Sequence, residues 1–152
     1  MAEEAKKIYI GSDHAGFRLK EALKRHMARK GIPFEDMGNH SLEPGDDYPD
    51  FAHKVAARVA ATGGRGVLIC DSGVGVCIVA DKVKGVRGVN AASPRMAMRS
   101  REHNDTNVLC LGQEYLSEDE ALSIFDVWLA TGFSHEERHR RRVEKISRLE
   151  GD

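Results

Sequence analysis

The segment GVLIC, residues 66–70, constrains the fold of this 152-residue chain more than any other. A strand with one face in water alternates apolar and polar residues. This segment has no polar position, which is typical of a strand that is covered on both faces. Such strands occur in parallel sheets that carry helices on both sides. The segment therefore predicts a central strand in a layered α/β protein.

Short apolar runs alternate with amphipathic stretches along the whole chain. The predicted strands are 7–12, 32–38, 66–70, 85–90 and 107–112. The predicted helices are 17–30, one that starts near Tyr48, 74–83, 94–102, and two closing helices near 117–131 and 134–149. Alternation at this spacing implies right-handed crossovers between parallel strands. We therefore predict a single domain over residues 1–152, a Rossmann-like three-layer α/β/α sandwich with a parallel five-stranded sheet.

Composition narrows the class of protein further. The net charge of −1 gives no reason to expect a nucleic acid or an anionic membrane as partner. The opening MAEEAKK lacks the apolar core of a signal peptide, and no segment is apolar over the length that spans a bilayer. The three cysteines, an odd number in apolar surroundings, favour reduced thiols over a disulfide framework. We expect a cytoplasmic protein.

Polar and titratable side chains lie next to several predicted strands. They occur in SDHAG after the first strand, in CDSGVG at the end of the third, and in REHNDTN before the last. In open α/β sheets, ligands bind beyond the carboxyl ends of the strands. We therefore expect these three segments to converge on one site.

Gly73 and Gly75 open the predicted helix that follows Cys70. Backbone N–H groups at a helix N-terminus carry partial positive charge and hold a phosphate or a reaction oxyanion. A dinucleotide fingerprint needs a third glycine where this chain has Ile78, and no Gly-Lys-Ser/Thr of a Walker loop follows. Cys70 is either a small buried hydrophobe or a reactive thiol, because helix N-termini stabilise thiolates. The other two cysteines lie within a helix and a strand and are expected to be core residues.

The C-terminal segment HEERHRRRVEKISRLE predicts a strongly basic helix. Its apolar stripe consists of Val143, Ile146 and Leu149. Four residues before the middle of this stripe lies Arg142, and four before that lies Arg138, so we predict that both arginines extend the buried row. Two convergent guanidinium groups suit a phosphate. Arg140 and Arg141 are expected to be solvated.

Five motifs follow one another along the chain: GSDHAGF, DYPDFA, LICDSGVGV, HNDTNVL and RHRRRV. Together they resemble the ribose-5-phosphate isomerase B family, which also contains galactose-6-phosphate isomerase. The resemblance covers nearly the whole chain. It implies a cofactor-free and metal-free aldose–ketose isomerase of the non-oxidative pentose phosphate pathway, which interconverts D-ribose 5-phosphate and D-ribulose 5-phosphate through a cis-enediolate. It also implies a homodimer or homotetramer with active sites shared between chains. The apolar residues that suggest a subunit contact are Phe125, Trp128, Leu129 and Phe133.

The resemblance also assigns roles by position. Cys70 matches the base that moves a proton between C2 and C1, Ser72 the hydroxyl that supports its thiolate, and His103 the proton donor that opens the furanose ring. The implied substrate-binding residues are Asp13, His14, Asp71, Ser72, Gly73, Val74, Gly75, Asn104, Arg138 and Arg142. The last two coincide with the family's phosphate-binding arginines.

Two positions depart from the family pattern. Family members commonly carry Gly-Thr after the cysteine, where this chain has Asp71 and Ser72. Serine keeps the hydroxyl, but a carboxylate turned toward the sulfur would disfavour a thiolate. We predict that Asp71 points away or pairs with a cation. Asn90 stands where relatives tend to have a small apolar residue, and its role stays open.

Other functions remain open from the sequence. A six-carbon substrate, such as galactose 6-phosphate or allose 6-phosphate, would use the same chemistry. A non-catalytic sugar-phosphate-binding module would need the arginines and the glycine turn but no cysteine. A cysteine hydrolase would need His103 paired to the thiol, with Asp13 as the orienting group. Metal-dependent isomerisation is disfavoured because no tight cluster of His, Asp and Glu is visible in the sequence.

Overall fold

A parallel five-stranded sheet forms the centre of the computed structural model, which describes residues 7–151. The first six residues, which include most of the opening segment MAEEAKK, lie outside the described part. The strands are β1 (Ile8–Ser12), β2 (Phe34–Asp36), β3 (Arg65–Cys70), β4 (Gly88–Asn90) and β5 (Val108–Gly112). Their order across the sheet is β2-β1-β3-β5-β4, and each neighbouring pair is parallel.

Six helices connect and follow the strands. They are α1 (Phe17–Lys30), α2 (Tyr48–Thr62), α3 (Val74–Asp81), α4 (Pro94–Asn104), α5 (Glu118–Ala130) and α6 (Glu137–Leu149). β2 and β4 have three residues each and are shorter than predicted. Both lie at an edge of the sheet, where only one neighbour supplies hydrogen bonds. The predicted Rossmann-like α/β/α sandwich is confirmed.

β3 is buried on both faces, as its sequence predicts. Val67 and Ile69 pack into the core under α1, α4 and α5, whereas Leu68 and Cys70 pack into the core under α2 and α3. Side chains of successive strand residues point to opposite faces, so one apolar run serves both layers. The thiol of Cys70 therefore belongs to the α2–α3 side of the sheet.

Local signals in the sequence set several helix ends. α1 ends at Gly31, whose φ of 69° places it in the left-handed region, as expected of a C-cap glycine. α4 begins after Ser93, whose side chain accepts a hydrogen bond from the Met96 N–H, with Pro94 as the first helical residue. These caps explain why the predicted and observed helices nearly coincide.

The predicted subunit contact is wrong for two of its residues. Phe125 and Trp128 are fully buried in the core of the chain, because α5 turns its apolar face to the sheet and to α1. The exposed apolar surface lies on α3 instead, where Val74 is 50% exposed and Ile78 is 56% exposed.

The last helix, α6, lies against α4 and leaves most of its surface in solvent; His139 is its one buried residue. None of the helices within residues 7–151 combines the length and the apolar character needed to cross a bilayer.

Candidate active site

The thiol of Cys70 lies at the end of β3, where the chain turns into α3. Cys70 is 5% exposed, and the N–H of Gly73 donates a hydrogen bond to its sulfur over 3.2 Å. Gly73 has a φ of 81°, which a residue with a side chain adopts only with strain. The hydroxyl of Ser72 accepts a hydrogen bond from the Val74 N–H over 3.2 Å, and no Ser72–Cys70 hydrogen bond is present in the described chain. The turn thus aims a backbone donor at the sulfur.

Two side chains hold this turn from outside. Asn90, at the end of β4, donates to the Ser72 carbonyl over 3.3 Å, and a Cβ at Gly73 would lie 2.5 Å from its Oδ1. Tyr48 covers the other side, since a Cβ at Gly75 would lie 2.5 Å from its ring. Asn90 is therefore a brace for the glycine turn, a role that its sequence position alone did not indicate.

Asp13 lies beside Cys70 at the same edge of the sheet. β1 pairs with β3 in a register that sets Ser12 against Ile69, so Asp13 follows at the level of Cys70. Asp13 is 6% exposed, and its Oδ1 accepts a hydrogen bond from the Gly16 N–H over 3.1 Å. Burial raises the pKa of this carboxyl, although the Gly16 N–H opposes the shift.

His14 is held by an aspartate that the sequence analysis missed. Its Nδ1 lies 2.7 Å from Oδ1 of Asp46, and its backbone N–H donates to the same oxygen over 3.0 Å. Asn39 donates to the other oxygen over 3.1 Å. The hydrogen bond to Asp46 raises the pKa of His14. Burial raises the pKa of Asp46, but the hydrogen bonds from His14 and Asn39 outweigh it, and the net shift is downward. The composition of residues 39–47 is typical of a turn, but it does not indicate which side chain the turn contacts.

Asp13, His14 and Asp46 form a tight group of possible metal ligands. One donor atom from each lies within 4.8 Å of the other two. The sequence showed no tight cluster of His, Asp and Glu, and this expectation is wrong because the loop before α2 folds back onto β1. The oxygens of Asp46 and the Oδ1 of Asp13 already accept hydrogen bonds. A cation would displace these contacts. We name Asp13, His14, Cys70, Ser72 and Gly73 the carboxyl-edge site.

The REHNDTN segment lies at the opposite edge of the sheet. α4 starts at the carboxyl edge and returns to the amino edge, where the carbonyl of Asn107 accepts a hydrogen bond from the N–H of Gly66 near the start of β3. Cys70, by contrast, pairs with Gly112 at the end of β5. Four residues of strand separate the two edges by about 13 Å. The predicted convergence of all three segments within one chain is therefore wrong. The same separation rules out a Cys70–His103 hydrolase pair within one chain.

The structure does bring His103 together with α6. The ring centroids of His103 and His139 are 4.3 Å apart, and both Arg138 and Arg142 lie close enough to act on the charge of His139. Asn104 follows His103 and lines a cavity of about 430 Å³ between β4 and the end of α6. We name His103, Asn104, Arg138, His139 and Arg142 the amino-edge cluster.

The expected burial of the two arginines is wrong for the single chain. Arg138 and Arg142 are exposed, and Arg138 reaches Glu136 at 3.5 Å. α6 turns His139 toward α4. The row of α6 residues that faces the rest of the chain therefore starts at His139 and not at Arg138. Arg140 and Arg141 are exposed, as predicted. Asp71 is exposed as well, and its predicted orientation away from the sulfur stays a prediction.

The fold and the site define a Rossmann-like α/β protein with a cysteine beside a helix N-terminus at the carboxyl edge of its sheet. The family described as Ribose/Galactose Isomerase matches residues 8–146, and the chain belongs to this family.

Similar proteins cover almost the entire chain. The Escherichia coli protein named ribose-5-phosphate isomerase B is 43% identical over 95% of this chain and 97% of its own. A probable ribose-5-phosphate isomerase B from Mycoplasma genitalium is 41% identical over 94% and 95%. The crystal structure of the Mycoplasma genitalium enzyme with bound ribulose 5-phosphate matches with a TM-score of 0.93 at 40% identity, covering 96% and 97%.

Proposed function

We propose that this protein is an aldose–ketose isomerase that interconverts D-ribose 5-phosphate and D-ribulose 5-phosphate by proton transfer at Cys70. One contact carries the proposal: the Gly73 N–H lies 3.2 Å from a sulfur at the carboxyl end of β3. A backbone donor at this place is suited to a thiolate, the form in which a cysteine acts as a base. Membership of the Ribose/Galactose Isomerase family and the names of the similar proteins support the choice of substrate.

The reaction needs one base and several donors to oxygen. Cys70 removes the C2 proton of the open-chain aldose, the C–H electrons form the C1–C2 double bond, and the carbonyl electrons move to O1. The proton on sulfur then returns to C1, while the proton of O2 passes to O1, so that C2 carries the ketone oxygen and C1 carries the hydroxyl. Negative charge develops on O1 and O2, and first-turn N–H groups of α3 are suited to receive it. Each well-placed donor of this kind contributes about 10²–10³ in rate.

The complete pocket, in this proposal, is built from two chains. The carboxyl-edge site holds the base but lacks the phosphate arginines, which belong to the amino-edge cluster of the same chain about 13 Å away. A second copy supplies the missing part when its amino-edge cluster lies over the thiol. The apolar residues Val74 and Ile78 of α3 flank the glycine turn and are suited to contact that second copy. A homodimer is the smallest such assembly, and a homotetramer repeats it.

In this arrangement the two chains contribute different groups to one pocket. The partner's His103 protonates the ring oxygen and opens the furanose. The partner's Arg138 and Arg142 bind the phosphate, for which their exposed guanidinium groups are free to converge. His14, kept protonated to higher pH by Asp46, adds positive charge from the first chain.

The proposed steps need no redox cofactor. They do need a reduced thiol, and the three cysteines are free. We therefore place the enzyme in the cytoplasm.

The decisive experiment compares wild type with Cys70→Ala in an assay with ribose 5-phosphate, together with exchange of the substrate's C2 hydrogen with solvent. We expect turnover to fall by about 10²–10⁴-fold and exchange to disappear, while the ligand still binds. Cys77→Ala is the matched control, because Cys77 lies on α3 outside the carboxyl-edge site. A wild-type protein that binds the sugar phosphate without turnover would instead be a binding module.

A six-carbon substrate is the second candidate, because the family description covers galactose as well as ribose. Values of kcat/KM on ribose 5-phosphate, galactose 6-phosphate and allose 6-phosphate decide between them. We expect the five-carbon substrate to give the highest value.

Chelation tests the Asp13–His14–Asp46 group as a metal site. We expect turnover to be unchanged after EDTA. Activity that is lost with EDTA and restored by a divalent cation would assign a metal to these residues instead.

A further inference from the structure

His139 is an unusual residue on its helix. α6 is basic and largely exposed, yet His139 is 4% exposed. Buried polar side chains are generally hydrogen-bonded, and the Nδ1 of His139 lies 2.7 Å from the hydroxyl of Ser134. Ser134 is itself fixed, because its backbone N–H donates to the carbonyl of Glu102 over 3.1 Å. The imidazole of α6 is thus connected through Ser134 to α4, the helix that carries His103.

The face of this anchored ring lies against His103. The two ring centroids are 4.3 Å apart and the planes are tilted by 33°. Two charged imidazoles at this distance would repel each other strongly. Burial lowers the pKa of His139, and the charges of His103, Arg138 and Arg142 lower it further, opposed only by Glu136 at 3.4 Å. His139 therefore offers His103 a neutral flat surface near neutral pH.

We infer that His139 is a positioning residue that holds the His103 imidazole at the angle needed for opening the sugar ring. The inference rests on the proposed isomerase function, in which His103 donates the ring-opening proton. Without a stacked neighbour, a half-exposed histidine near the end of a helix samples several rotamers. When the His139 ring is stacked on it, the donor nitrogen of His103 points in a single direction. A misplacement of about 1 Å in such a group costs up to about 10²-fold in rate.

The experiment separates ring opening from proton transfer. Isomerisation of ribose 5-phosphate requires both steps. Exchange of a C1 hydrogen of ribulose 5-phosphate with solvent requires proton transfer at Cys70 but no ring opening, because this ketose is already open. For His139→Gln, we expect isomerisation to fall between about 10- and 10²-fold, with exchange unchanged within about twofold. His139→Phe keeps a flat ring and should recover most of the isomerisation rate.

Controls keep the test decisive. Arg140→Gln changes an exposed α6 residue outside the amino-edge cluster and should leave both rates unchanged. If His139→Gln fails to fold, Ser134→Ala loosens the same ring without removing it and should lower isomerisation selectively. Equal loss of isomerisation and exchange, or loss of neither, would overturn the inference. A wild-type protein that neither isomerises nor exchanges would instead contradict the proposed function itself.

Discussion

The environment of the Cys70 thiol depends on the backbone conformation of one residue, Gly73. Gly73 adopts a positive φ, donates its N–H to the sulfur of Cys70, and leaves room for the amide of Asn90. A thiol at the end of a strand has no intrinsic reason to be a base. In the proposed function the turn supplies that reason, because it brings a backbone donor to the sulfur and opens a helix N-terminus beside it.

Gly73→Ala should lower kcat/KM by about 10–10²-fold, because the strained turn moves its N–H away from the sulfur. The strain itself costs about 1–2 kcal/mol, and the new Cβ would meet Asn90 Oδ1 at 2.5 Å. Gly63→Ala is the matched control. Gly63 also has a positive φ, of 73°, with open space around its Cβ position at the end of α2. It should lose stability in thermal unfolding but keep its activity, and equal losses of activity would contradict the prediction.

The His14–Asp46 pair should stabilise the fold in a defined range of pH. Because the pKa of His14 is raised above 6.5, its contribution is complete below that pH and is lost as pH rises through the raised value. Because the pKa of Asp46 is lowered below 3.8, its contribution is complete above that pH and is lost on further acidification. Asp46→Asn should therefore lower Tm more at about pH 5.5 than at about pH 9. The same Tm difference at both values would disprove the pairing.

At the scale of elements, α6 is a helix that lacks a partner for most of its surface. Isolated helices of this length are marginal in water and depend on tertiary packing, yet His139 is the one residue that α6 buries. In the proposed dimer, α6 contacts the substrate of the second chain, which accounts for the exposed arginines on its remaining faces.

Arg142→Gln should raise KM for ribose 5-phosphate by about 10–10²-fold with a smaller effect on kcat, because a hydrogen bond to a charged group is worth about 1.5–3 kcal/mol. Arg141→Gln is the control. Arg141 lies on the same helix but pairs with Glu137 at 2.5 Å. A similar rise of KM in both variants would mean that the effect is general charge, and would leave Arg142 without a specific role.

Elements were predictable from the sequence, whereas their placement relative to one another was only partly so. Apolar runs and capping residues such as Gly31 and Ser93 are local signals, and they predicted every strand and α-helix of residues 7–151 within a few residues. The edge of the sheet at which a segment lies depends on the direction of the preceding helix. His103 comes just before a strand and therefore lies at the amino edge. The contacts of Asp46 and His139 depend on loops that fold across the surface, and no spacing in the sequence encodes them.

At the scale of the whole molecule, the proposed division of the active site between two chains makes a sharp prediction. Co-expressed Cys70→Ala and His103→Asn chains should form mixed dimers in which one pocket carries both defects and the other carries none. With random pairing, about a quarter of the wild-type turnover should return, although each variant alone is inactive. A site contained in one chain would show no recovery, because every pocket would then carry one defect.

The surface that we propose for the subunit contact was the least predictable feature. Trp128 and Phe125 are apolar and aromatic, which is typical of interfaces, but a small α/β domain needs such residues in its own core. Val76 and Ala80 of α3 pack into the core beside the sheet, which leaves the opposite face of this helix exposed. The sequence alone does not show which face of α3 is buried.

The exposure of most of α6 in the single chain has a consequence for dilute solutions of the proposed dimer. A chain that has folded but has not met another holds its sulfur and its guanidinium groups too far apart to act on one sugar. Specific activity should therefore decline as the enzyme is diluted, even while every molecule stays native, and a newly made polypeptide should be inert until it pairs.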